Sequence, residues 1–158
     1  MILNTTIGPY RVQKRTEYSK MQIFDKSGTN ISNTEIGKEI ADEYNLQSSN
    51  PYNYFEMDDD RLISIKDAGK PLKYVFLPNH IKKIESRAFY GAGLFFISFP
   101  DYLSCIENEA FKECVCLKEA VLPQSATMLD SGIFYRCVSL EKVVLPDDID
   151  TIPKYTFC

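Results

Sequence analysis

Tryptophan is absent from the chain, and histidine occurs once, as His80. A nucleophile–histidine pair would therefore have to use that ring. His80 lies two residues past Pro78, and the corresponding positions after Pro100, Pro123 and Pro146 hold Tyr102, Ser125 and Asp148. So variable a slot predicts a solvated loop, not a catalytic base. No glycine-rich phosphate loop and no Gly-x-Ser-x-Gly elbow occurs. No run of 18 apolar residues exists, so no membrane span is expected. The first nine residues hold neither a basic segment nor an apolar stretch, which predicts no secretory leader. Either the protein stays inside the cell or a leader has been removed. An excess of positive charge is also missing. Lys and Arg number 18 against 22 Asp and Glu, and the net charge of −4 argues against a nucleic-acid partner.

What is present is an ordinary globular composition. The 158 residues are 44% hydrophobic and 25% charged, enough for one domain with its own core. Five cysteines, Cys105, Cys114, Cys116, Cys137 and Cys158, are an odd number, so at least one is unpaired in a monomer. The only close pair is Cys114-Val115-Cys116. It has no second pair and no partner histidine, so no zinc site is expected. Asp58-Asp59-Asp60 lacks the alternating oxygen ligands and distal Glu of a calcium loop and reads as an acidic hairpin turn. The sequons at Asn4 and Asn30 read as chance matches in the absence of a leader. No cofactor or metal is expected.

The second half repeats. Pro78, Pro100, Pro123 and Pro146 are 22, 23 and 23 residues apart, and Phe89, Phe111, Phe134 and Phe157 keep the same spacing. Six residues before each Pro stands Leu72, Leu94, Leu117 or Leu140; three before it, Val75, Ile97, Ala120 or Val143. Six after it stands Ile84, Ile106, Leu129 or Ile152. Leu-x-x-Val-x-Leu-Pro predicts a short strand with alternating side chains, ended by a proline that has no N–H for a ladder. A returning segment and a helical turn carrying the Phe are expected next. One such unit cannot bury its apolar face alone, so the units stack into a solenoid.

Leu94-Phe95-Phe96-Ile97-Ser98-Phe99-Pro100 through Ala110-Phe111-Lys112-Glu113-Cys114 resembles the BspA-type leucine-rich repeat class. The resemblance covers residues 72–158. It implies a solenoid that binds or adheres through a repeat surface, often on cell exteriors, and no enzyme activity. The first copy lacks one residue between Phe89 and Leu94, and Ile133 and Thr156 stand where Ala is usual. The slot three after the Phe holds Ala92, Cys114 and Cys137. That exchange reads as a ladder of small reduced side chains, with a Cys114–Cys137 disulfide across stacked coils as the alternative.

The fold class expected is α+β: a solenoid of about four repeats over 71–158, with a short-strand parallel sheet and helical turns, and a small α/β capping segment over 1–70. In the cap, Tyr10–Gln13 and Met21–Phe24 read as strands. Ser32-Asn33-Thr34-Glu35 reads as a capping box with an Ile31/Ile36 staple, opening a helix over 33–45 with Ile36, Ile40 and Tyr44 on its apolar face. Tyr52–Met57 and Arg61–Lys66 read as strands around the acidic turn. Residues 39–60 hold seven acids and no Lys or Arg, which excludes a DNA-reading helix.

The candidate binding residues are those two and four places after each repeat Leu, which point away from the solenoid core. They are Tyr74, Phe96, Glu119 and Lys142 in one column and Phe76, Ser98, Val121 and Val144 in the other. Tyr74, Phe76 and Phe96 form an aromatic patch, either open for a protein partner or covered by the N-terminal half. At the other end Leu140, Val143, Leu145, Ile149, Ile152 and Phe157 lack a following layer. That predicts closure by more chain or self-association. The expected function is a non-catalytic interaction or adhesion module. The alternatives are a piece of a longer repeat protein, or a small enzyme or regulatory domain in residues 1–70 with the repeats appended.

Overall fold

The computed structural model describes residues 3–14, 21–66 and 72–158. The expected boundary between 70 and 71 lies outside the described residues. The repeat half winds as a solenoid with two parallel sheets. Strands β6 (Tyr74–Phe76), β8 (Phe96–Ser98), β10 (Glu119–Val121) and β12 (Lys142–Val144) form the front sheet. Two-residue strands β7 (Lys83–Ile84), β9 (Cys105–Ile106) and β11 (Met128–Leu129) lie in the back sheet. After each front strand the proline carbonyl accepts from the amide three residues on: Ile81 to Pro78, Leu103 to Pro100, Ala126 to Pro123 and Ile149 to Pro146. A tight turn at the proline thus carries the chain from front sheet to back.

Between the sheets lies one core. Val75, Ile97 and Ala120 enter it from the front, Ile84 and Ile106 from the back, and Phe89, Phe111 and Phe134 from the turns. The phenylalanines stack from coil to coil, with ring centroids 4.8 Å apart for Phe89–Phe111, 5.5 Å for Phe111–Phe134 and 6.1 Å for Phe134–Phe157. The alternation expected of Leu-x-x-Val-x-Leu holds in register.

The segments that carry the phenylalanines are not helical turns. The residues two before and two after each Phe take left-handed backbone: Arg87, Glu109, Gly132 and Tyr155 before, and Gly91, Glu113 and Arg136 after. With a left-handed residue at these places, every second amide of the segment points along the solenoid axis, while those between, such as Ala110, Lys112 and Cys114, bond to carbonyls three residues back in the same coil. The amides of Glu109, Phe111 and Glu113 donate to the carbonyls of Ser131, Ile133 and Tyr135 in the next coil. Those of Gly132, Phe134 and Arg136 donate to Lys154, Thr156 and Cys158. Inter-coil bonds thus alternate with local turn bonds, where the pattern had suggested a continuous helical turn. Cys114 and Cys137 are free thiols, and their Sγ atoms donate to the Phe89 and Phe111 carbonyls at 3.0 Å.

The N-terminal half closes the solenoid in three ways. The hairpin of β4 (Phe55–Asp58) and β5 (Arg61–Ile65) extends the back sheet, with β5 parallel to β7. The antiparallel sheet of β1 (Leu3–Ile7), β2 (Tyr10–Lys14) and β3 (Gln22–Phe24) lies over the front sheet. Helix α1 (Glu35–Ser49) packs beside β6. A single 3-10 turn, Pro51–Asn53, joins α1 to β4.

Helix α1 departs from the expected limits. Its N-cap is Thr34, whose hydroxyl accepts from the Gly37 amide, and it runs on to Ser49. Ser32 instead accepts from the Ile23 amide and ties the helix entry to β3. Of the expected apolar face, Ile40 is buried and Tyr44 packs against the second core, while Ile36 is exposed, so it does not close the expected staple. Ile40, Glu43 and Gln47 are buried. The surface they meet is partly a strand edge with free backbone groups, which polar side chains satisfy and apolar ones do not.

Candidate interaction surface

The front sheet presents the two outward columns, and the structure divides them in half. On β6 and β8, Tyr74, Phe76, Phe96 and Ser98 are all buried, none more than 9% exposed. Tyr74, Phe76 and Phe96 form a second core with Ile7, Val12, Ile23 and Ile40 from the N-terminal half. Tyr10 stands edge-on to Tyr74 and to Phe96, at 6.5 and 6.1 Å, and Tyr44 stands edge-on to Phe76 at 5.2 Å. Burial pushes the Tyr74 hydroxyl up to about 12. The aromatic patch is contiguous and faces away from the solenoid core, but it is not open. Of the two readings for these four residues, coverage by the chain's own first half is the one observed. An accessible face would have left three large rings in water, and burying each is worth roughly 2–3 kcal/mol.

Close approach of the covering sheet depends on Gly8, at the β1–β2 turn. Its φ is +57°, and a Cβ there would lie 2.0 Å from Cδ1 of Phe96. Only hydrogen fits between the turn and the ring.

The edge of β6 is closed by α1 through side chains. Gln47 Nε2 donates to the Tyr74 carbonyl at 2.7 Å, and Gln47 Oε1 accepts from the Phe76 amide at 2.8 Å. Glu43 Oε2 accepts from the Tyr74 amide at 2.8 Å. Glu39 pairs with Lys73 at 2.6 Å. Residues 39, 43 and 47 are spaced one helical turn apart, so one stripe of α1 takes the place of a neighbouring strand. Acids of the β4–β5 hairpin make further ion pairs, at the back sheet. Asp60 pairs with Lys82, and Asp58 pairs with Arg61, which also reaches Glu85. Several of the acids in residues 39–60 are thus committed to structural contacts.

On β10 and β12, Val121, Lys142 and Val144 stay exposed, while Glu119 is half-buried. Val121 and Val144 are 38% and 37% exposed, and Glu119 pairs with Lys142 at 2.5 Å beside them. A small cleft of about 40 Å³ borders this strip, lined by Thr6 and Gly8 of the cap and by Ser98, Glu119 and Val121 of the sheet. The open surface is therefore an apolar lane with one ion pair, framed on one side by the β1–β2 turn. His80 is exposed in the turn after β6. Among the described residues, no helix is long and apolar enough to cross a membrane.

At the far end, Ile152 and Phe157 are 54% and 49% exposed, while Leu140, Val143, Leu145 and Ile149 are half-buried.

A profile of the BspA type leucine rich repeat region matches residues 63–158 in six copies. The match begins inside β5, the strand that the cap contributes to the back sheet. Among solved structures, a leucine rich repeat protein of T. pallidum is similar, at 26% identity and a TM-score of 0.57. The similarity covers 65% of this chain and 52% of that one, so the chain spans about half of that protein's length. No curated protein matches the chain.

Proposed function

The chain belongs to the BspA-type leucine-rich repeat family, and on that premise we propose that it is a non-catalytic interaction module, adhesive in use, that binds a protein partner through the uncovered half of its front sheet. The observation that carries this reading is the division of the outward columns. Tyr74, Phe76 and Phe96 hold the cap, with Ser98 buried beside them, while Glu119, Val121, Lys142 and Val144 face outward. A covered aromatic half and an open aliphatic half make one rigid sheet, half anchored and half presented. Two strands are narrow beside the roughly 800 Å² per partner of a standard interface. The rim of the β1–β2 turn therefore belongs to the same footprint. The alternative of a small enzyme in residues 1–70 draws no support from Glu39, Glu43 and Asp60, which bond the cap to the first coil.

Capture from native extract tests the proposal. Wild-type protein should retain a partner that Val121→Asp/Val144→Asp loses, with the circular dichroism of the variant unchanged. Equal retention by a folded variant would remove the sheet from the binding surface.

A second reading has a specific observation in its favour. The exposed Ile152 and Phe157 end offers a second copy a stacking layer beside Phe134 and Phe157. Native mass measurement under reducing conditions should then show a dimer that Phe157→Asp dissociates. A strictly monomeric wild type at high concentration would overturn this second reading.

A further inference from the structure

The turn face of the solenoid, on neither sheet, carries a groove of about 580 Å³. Its origin lies in the left-handed column two residues before each Phe. Three coils fill that slot with side chains, Arg87, Glu109 and Tyr155, and the third coil has Gly132. All four share nearly the same φ, from 56° to 68°. The backbone therefore does not demand glycine at 132, since Arg, Glu and Tyr adopt the same conformation in the other three coils. A Cβ on Gly132 would meet only Glu109 Cγ at 3.5 Å and Tyr135 Cβ at 3.9 Å, ordinary contact distances. The missing side chain opens a gap between Glu109 on one side and Tyr155 on the other.

Chemistry around the gap is specific. Tyr135 and Tyr155 supply aromatic surface, and Tyr155 is 64% exposed. Asn108, Ser131 and Ser86 supply amide and hydroxyl groups. The charges are already committed to one another. Glu109 accepts from Arg87 Nε at 2.7 Å and from Lys112 Nζ at 2.8 Å, and Lys112 also lies 5.3 Å over the Tyr135 ring. Lys112 and Arg87 together hold the Glu109 carboxyl below the usual range. An ionic ligand of either sign would have to break this triad, and the chain's net charge of −4 disfavours anions further. A neutral ligand with one C–H face and a rim of hydroxyls leaves the triad intact. Its C–H face lies on a tyrosine ring, and its hydroxyls meet the planar amide, carboxylate and guanidinium groups. The volume lies within the ordinary range of small-ligand sites.

We propose that the groove at Gly132 binds a neutral saccharide, with Tyr135 and Tyr155 as stacking surfaces and Asn108, Glu109 and Arg87 as hydroxyl partners. It is a site separate from the front sheet, and it stands or falls independently of the protein-binding proposal.

Nuclear magnetic resonance titration of the whole chain tests it, with maltotriose, cellotriose, mannotriose and chitotriose as probes. At least one should saturably shift the amides of Ser131 to Tyr135 and of Tyr155, at concentrations up to ~10 mM, tenfold above a millimolar dissociation constant. Gly132→Arg fills the gap with the residue that the first coil carries in this slot, and it should abolish the shifts. Tyr155→Ala, at an exposed ring, should weaken them at least tenfold. Tyr102→Ala, at an exposed tyrosine outside the groove lining, should leave them unchanged. No shift with any of the four sugars refutes the proposal, as does binding that survives Gly132→Arg. Shifts with sodium phosphate but with none of the sugars would show that the groove reads charge, and would overturn it equally.

Discussion

Replacing Gln47 by Leu tests whether α1 stands in for a strand at the edge of β6. Gln47 is 1% exposed and bonds two backbone groups of that strand, the Tyr74 carbonyl and the Phe76 amide. Leucine keeps the volume and the helix propensity but removes both partners. Each buried group left unsatisfied costs about 1–3 kcal/mol. Two such groups give about 2–6 kcal/mol, and partial entry of water and added apolar burial bring the expected loss to about 3 kcal/mol. Urea unfolding gives the stability, and amide exchange gives its location, with the Phe76 amide losing protection first. Gln47→Glu keeps the acceptor for the Phe76 amide but sets a carboxylate against the Tyr74 carbonyl, so it should also destabilise. Leu46→Ala, one residue away at a position 54% exposed, should stay within about 0.5 kcal/mol of wild type. A Gln47→Leu protein as stable as wild type, with Phe76 still protected, would show that α1 does not close the sheet edge.

Gly8→Ala should cost about 2–4 kcal/mol, from the contact with Phe96 and from the left-handed φ together; thermal melting within a degree of wild type would refute the close approach. Tyr74 titrates higher in the folded chain than its ordinary value of 10, at about 12. The unfolded chain therefore loses this proton first, and the contribution is full below pH 10 and lost as pH rises through 12; Tyr74→Phe should flatten that part of the alkaline stability profile. The neighbouring Cys137 sulfur and burial push the Cys114 thiol up, so a thiol reagent should modify exposed Cys158 quickly and reach Cys114 only on unfolding. Rapid labelling of Cys114 in the native protein would contradict its place in the ladder.

The solenoid was readable because its signal is repeated. Four copies of one spacing average out local noise, and the inward and outward alternation of Val75, Ile97 and their neighbours follows from a two-residue period. The conformation of the turns was not readable in the same way. A Phe flanked by polar residues suits a helical turn locally, and the inter-coil bonds that flatten it, such as Phe111 to Ile133, belong to the stacked array. The buried stripe of α1 escaped because a hydrophobic period registers Ile36, Ile40 and Tyr44 but not Glu43 and Gln47, whose partners are backbone groups some 30 residues away. The two columns point away from the solenoid core, as the two-residue period requires; how much of that face the cap covers depends on β1 to β3, short strands with little pattern of their own. The groove at Gly132 had a visible signal, a glycine where aligned coils carry Arg, Glu and Tyr, and it gains meaning only once the column is known to share one backbone geometry.

A front sheet sealed on one side has a bearing on how copies of this chain could join. With β6 occupied by α1, the strand edge left for a second copy is that of β12. Two molecules meeting there would share one continuous sheet, and each would carry its sealed edge outward. Such a pairing has two-fold symmetry and ends with two members. An edge open at both ends would instead admit copy after copy, as fibres do. Gln47 and Glu43, which look like local repairs to one strand, thereby restrict growth through this sheet to a finite assembly.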